Sequence, residues 1–148
     1  MLAAMSDDYP ALDDLLTQAD LLKRAEPMEG GMFRLRWGSA LVIVGTSGQA
    51  VVAIAPLFRN PPTTRREDFY RRLLEANATM GGMAGFALQP DGWVVLHAGR
   101  SRKGLDAHEL AMLVSSVGRF ADELDDKLIA EFFAPRAADI DAEPEQTA

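Results

Sequence analysis

Cysteine is absent from this chain, which excludes both a disulfide framework and a thiolate metal site. Histidine is nearly absent. His97 and His108 stand alone, without the H-x-x-x-H or H-x-x-E-H spacing that seats a metal on a helix, so no metal or cofactor is expected. No apolar run approaches the roughly 20 residues needed to cross a bilayer. The opening Met-Leu-Ala-Ala-Met-Ser-Asp-Asp has neither a basic n-region nor a long apolar h-region, so no secretory signal and a cytoplasmic location are expected. Bases are outnumbered, 15 Lys and Arg against 22 Asp and Glu, for a net charge of −7. Their clusters, Arg65-Arg66 and Arg71-Arg72, are too small to offset that charge against a phosphate backbone, so no nucleic-acid partner is expected.

The motifs of catalysis are missing as well. Gly81-Gly82 and Gly85 follow a helical pattern and precede a strand, the reverse of the order that aims N–H groups at phosphate. They read as a helix breaker and a point of close approach. Gly45-Thr46-Ser47-Gly48 reads as a hairpin turn. Ser115-Ser116 lie within a helical pattern, not on the strained G-x-S-x-G turn that exposes a nucleophile. The acids from Asp122 to Asp126 are adjacent on a helix, where a solvated face is the ordinary arrangement; tuned acid–base pairs need burial. No catalytic residue and no enzyme activity are expected.

What is present is a regular alternation of elements. At 148 residues, 48% hydrophobic and 25% charged, the chain has the makings of one globular domain. Leu12, Leu15, Leu16, Ala19 and Leu22 keep helical spacing after Pro10, and Pro27 and Gly30-Gly31 close that segment. In Met32 to Trp37, Phe33, Leu35 and Trp37 alternate with arginines, the period of a half-buried strand. Gly38-Ser39 suits a two-residue hairpin. Ala40–Val44 and Ala50–Leu57 are apolar at nearly every position, as in strands covered on both faces.

Thr64-Arg65-Arg66-Glu67 has the capping-box pattern, predicting a second helix over about Arg65–Ala78 with two adjacent stripes, Phe69-Leu73-Ala76 and Tyr70-Leu74-Asn77. Met83–Leu88 and Trp93–Ala98 are strands around the turn Pro90-Asp91-Gly92. Asp106 and Glu109 repeat the capping pattern before a long stripe from Leu110 to Leu128. The sum is α+β: three helices and a single, mostly antiparallel five-stranded sheet in the order α-β-β-β-α-β-β-α, because the strands come as hairpin pairs and not as βαβ units. A domain over 10–133 is expected, after a flexible stretch 1–9. The acidic residues 134–148, four acids against one arginine and almost no apolar side chains, are expected to be disordered.

The element order, with Leu73-Leu74-Glu75-Ala76-Asn77 just before the glycines, resembles the class I type III secretion chaperones of the CesT type. It also resembles the YbjN-type proteins that share their fold. The likeness spans most of Pro10–Leu128 and is strongest from Leu73 to Gly92, at Leu105-Asp106 and at Phe120-Ala121. The resemblance implies a small acidic homodimer that holds an extended, non-globular segment of a secreted effector. By position, Tyr70, Leu73, Leu74 and Asn77 would line the dimer contact, and Leu12, Leu16, Phe33, Leu35, Val42 and Val44 the peptide groove; all ten are equally suited to plain core packing. Gly99-Arg100-Ser101-Arg102-Lys103-Gly104 departs from the family, which usually has an apolar, proline-containing segment there. Two further readings stand beside the export chaperone: a YbjN-type regulatory or stress-related protein with folded partners, and a small-molecule-binding domain. The apolar excess of Ala40–Val44 and Ala50–Ala55, set against few helices to cover it, speaks for a macromolecular partner.

Overall fold

The computed structural model describes residues 9–133; the acidic tail and all of the N-terminal stretch but Tyr9 lie outside the described residues. Six strands form one sheet: β1 (Ala25–Pro27), β2 (Phe33–Trp37), β3 (Ala40–Ser47), β4 (Ala50–Phe58), β5 (Gly85–Leu88) and β6 (Val94–Ser101). Their spatial order is β1-β2-β3-β4-β6-β5 and every neighbouring pair is antiparallel. The helices are α1 (Leu12–Gln18), α2 (Arg66–Ala78) and α3 (Ala107–Leu128), the last continued by a π-turn over Ile129–Phe133. The α+β sheet with three helices is as the sequence predicts.

The sixth strand is the addition. Ala25–Pro27 lies in the segment expected to follow the first helix as a terminator, yet it pairs with Phe33–Leu35 and extends the sheet by one edge. Three residues are too few to show a period of two, so the pattern carries no trace of it. The hairpin between β1 and β2 closes through Met28 N–H to Met32 O at 2.7 Å, with Gly30 and Gly31 both left-handed at its tip. The first helix is shorter than its stripe suggests. It begins at Leu12 and ends at Gln18, and Leu22 stands in a separate 3-10 turn.

α1 and α3 cover one face of the sheet. Strand parity decides which side chains they cover: Leu35, Val42, Val44, Ala53, Ala55 and Leu96 all turn towards the helices and are buried. The alanines of β4 leave room for α3 to lie close. The Gly38-Ser39 turn is pinned to α3, with Asp122 Oδ1 accepting from the Ser39 N–H (2.8 Å) and hydroxyl (2.7 Å).

α2 sits apart from that layer. Phe69 and Leu73 join Phe58, Val94, Leu128 and Phe132 in a second buried cluster at the end of α3. Its N-terminus departs from the capping box read from Thr64 and Glu67. Arg65 is the cap residue, in a left-handed conformation (φ 57°), and no side chain caps the helix. The guanidinium of Arg65 instead donates to Glu131 O at 2.9 Å and stacks on Phe132 at 4.8 Å, so a tertiary contact overrides the local signal. At α3 the local signal holds, with Asp106 Oδ1 accepting from Glu109 N–H at 2.8 Å.

Candidate binding surfaces

The six side chains suggested for a groove are placed by the structure as follows. Leu12 and Leu16 of α1, and Leu35, Val42 and Val44 of β2 and β3, are buried between sheet and helices, and Phe33 is partly buried beside them. Five of the six therefore have no surface to offer a peptide. In an antiparallel pair, residues directly opposite share a face, and Leu35 faces Val42 while Phe33 faces Val44 under the helices.

Among the described residues, no helix lies on the opposite face of the same strands. Leu41 and Ile43 of β3 and Val52, Ile54 and Pro56 of β4 lie there half-buried, adjacent across the ladder. Leu41, Ile43, Ile54 and Pro56, with Trp93 and Met28 at the margins, form a trough of about 630 Å³. That volume is within the range of sites that enclose a ligand or a large side chain. Arg34 and Arg36, directly opposite Ile43 and Leu41, set a basic flank on the β2 side, where Arg34 also meets Glu26 at 2.7 Å. Asp91 lies at the other margin, its Oδ1 accepting from Trp93 N–H at 3.1 Å. These exposed-face residues were not singled out from the sequence. Their signal was the doubly apolar pattern of β3 and β4, which shows that both faces are apolar without saying which is covered.

The second surface is built on α2. Its buried stripe holds the helix, and its other stripe projects Leu74, 69% exposed, towards solvent. Tyr70, Leu73, Leu74 and Asn77 come together here, lining a recess of about 210 Å³ with Phe86 and Leu88 of β5. Leu73 does so from beneath, being buried against its own chain. Leu88 is 51% exposed, so two large apolar side chains stand in water side by side. Asn77 fixes the helix to the strand, its Oδ1 accepting from Phe86 N–H at 2.7 Å.

The remaining candidates resolve into structural roles. Gly81 and Gly82 are both left-handed and turn the chain out of α2. Ser116 is buried, and the Ser115 hydroxyl donates to Met112 O within its own helix. Within the acidic run, the hydrogen bonds from the Ser39 N–H and then its hydroxyl hold the Asp122 carboxyl below its usual pKa. His97 lies on β6, opposite Ile54 and Gly85, and His108 in the first turn of α3. Among the described residues no three His, Asp or Glu converge as metal ligands, and no helix is long and apolar enough to cross a membrane.

The fold matches those of solved type III secretion chaperones. Superposition on the Yersinia pestis type III secretion chaperone SycH, solved in complex with a stable fragment of YscM2, covers 79% of this chain and 98% of that one, at 18% identity and a TM-score of 0.53. The heterodimeric complex ExoU–SpcU from the type III secretion system of Pseudomonas aeruginosa matches over 78% of this chain and 95% of that one, at 17% identity and a TM-score of 0.59. The HopA1–SchA chaperone–effector complex matches over 78% and 91%, at 12% identity and a TM-score of 0.58. Among curated proteins none matches by sequence. The chain belongs to the Tir chaperone protein (CesT) family, whose model matches residues 11–124. Of the two resemblances read from the sequence, the CesT type is the one whose family model matches.

Proposed function

We propose that this protein is a homodimeric, non-enzymatic export chaperone of the cytoplasm, which holds an extended segment of a secreted effector and keeps it competent for secretion. The observation that carries the reading is the apolar face over Leu41, Ile43, Ile54 and Pro56, which no helix among the described residues covers and which a chain without partners has no reason to leave in water. Family membership and solved neighbours that are chaperone complexes support it. The dimer contact is assigned to Tyr70, Leu74 and Asn77, with Leu73 supporting them, because a two-fold contact uses one patch twice and this patch is apolar, exposed and continuous with β5.

Affinity capture of the tagged chain from its own cells tests the function. It should return a secreted protein bound through a protease-sensitive, non-globular segment. Ile43→Glu, on the open face, should lose that protein while keeping the wild-type melting temperature within a few degrees. Capture of folded partners alone, or undiminished capture by Ile43→Glu, would exclude the reading.

A further inference from the structure

An extended segment has two ways to engage a sheet: by joining an edge through backbone hydrogen bonds, or by seating side chains on a face. The edges of this sheet offer an added strand few free N–H donors. At β1, the bond from Met28 N–H to Met32 O fixes the antiparallel alternation, which turns the backbone of Ala25 and Pro27 outward. The Ala25 N–H donates to Leu22 O, and Pro27 has none. Beyond β1, the Arg36 carbonyl accepts from the Arg24 guanidinium at 3.0 Å. At β5, the bond from Gln89 N–H to Trp93 O turns Phe86 and Leu88 outward. Asn77 takes the Phe86 N–H. Among the described residues of the two edge strands, only Leu88 keeps an outward N–H with no such partner.

The open face has the opposite character. Met32 lies across Gly45, so closely that a Cβ at residue 45 would come 2.8 Å from its Cγ. It thereby divides the apolar face into two recesses: the trough of about 630 Å³ and a smaller one of about 240 Å³ over Gly45 and Val52, with Ile43 and Ile54 in the floor of both. Methionine is the side chain best able to adjust to differing neighbours, and Met28 lines the larger recess as well.

We infer that the effector segment is held face-on through its side chains, one apolar anchor on each side of Met32, without adding a strand to either edge. The inference rests on the effector-binding reading and specifies its mode. Anchors two or four residues apart suit the two recesses, since these are the same-side separations of an extended chain, about 7 and 13 Å.

The test uses the full chain and short synthetic Gly/Ser peptides carrying two leucines at increasing separations, with fluorescence anisotropy as the readout. Affinity should peak at separations of two or four, dip at three, and fall about tenfold or more when either leucine becomes serine. Methylating the peptide's backbone nitrogens should leave it unchanged. Met32→Ala, which removes the side chain between the two recesses, should broaden the accepted separations. Loss of binding on N-methylation, a separation preference untouched by Met32→Ala, or no binding by any peptide would each overturn the face-on mode. The effector-binding reading is decided separately, by the capture experiment.

Discussion

Gly118 of α3 lies directly beneath Trp37 of β2: a Cβ at residue 118 would come 2.8 Å from the Trp37 Cβ. The contact brings the long helix down onto β2, and the Arg24 guanidinium stacks on the same indole at 4.7 Å from the ring centre. Gly118→Ala therefore sets two effects against each other. Alanine in a helix interior gains roughly 0.5–1 kcal/mol over glycine, whereas overpacking a fixed site costs about 1–3 kcal/mol. Backbone and indole ring are both hard to move here, so the second effect wins. Thermal unfolding should show a lower Tm for Gly118→Ala; an unchanged or raised Tm would show that Trp37 yields.

The Ser39–Asp122 contact makes a prediction with pH. The folded-state pKa of Asp122 is depressed by hydrogen bonds from Ser39. A depressed carboxyl pKa contributes stability above the unfolded value of about 3.9 and loses it as pH falls through the folded value. The difference in Tm between wild type and Asp122→Asn should thus be constant across neutral and mildly acidic pH and should shrink below about pH 4. A difference that grows on acidification contradicts the assignment.

Leu74 supplies the test of assembly. In light scattering the wild type should have about twice the chain mass of 16.1 kDa, and Leu74→Asp should move it towards the single-chain value. The side chain is exposed in the single chain, so far-ultraviolet circular dichroism of the variant should remain that of the wild type. A wild type that is monomeric at all concentrations removes the dimer from the proposed function.

The C-terminal end of α3 and the tail should respond oppositely to change. Phe132 is buried against Phe69, their rings 5.3 Å apart and nearly perpendicular, and Arg65 stacks on it. Phe132→Ala should destabilise by about 3–5 kcal/mol and loosen α2, seen as faster amide exchange over Arg66–Ala78. Removing 135–148 takes away almost no apolar surface and should shift Tm by no more than about a degree or two. A large loss on that truncation would mean that the tail docks.

Much of this molecule was legible in one dimension. Alternation in Phe33–Trp37, the turn chemistry of Gly38-Ser39 and Pro90-Asp91-Gly92, and the stripe from Leu110 to Leu128 each obey a local rule. Each became the element expected: the Gly38-Ser39 turn joins β2 to β3, and Gly92 is left-handed with its N–H on Gln89 O. The two stripes of α2 separated, Phe69, Leu73 and Ala76 buried, and Leu74 exposed between the half-buried Tyr70 and Asn77. The Asp106 cap formed as its local pattern implies.

What sequence order left open were the contacts made at a distance. β3 and β4 are apolar on both faces, so their pattern is the same whichever face α3 covers; only the packed helix makes Val42 core and Ile43 surface. That parity is why the groove expected at Leu35, Val42 and Val44 became interior and the open trough appeared one residue along. Ala25–Pro27 has too little length to show a period and is a strand only because Phe33–Leu35 lies beside it. Arg65 leaves a favourable local cap because Glu131 and Phe132, more than sixty residues further along, bind its guanidinium. Period, turn chemistry and the Asp106 cap were determined by neighbours in sequence; the covered face, the added edge and the displaced cap were decided by neighbours in space, where packing and hydrogen bonding outweigh local propensity.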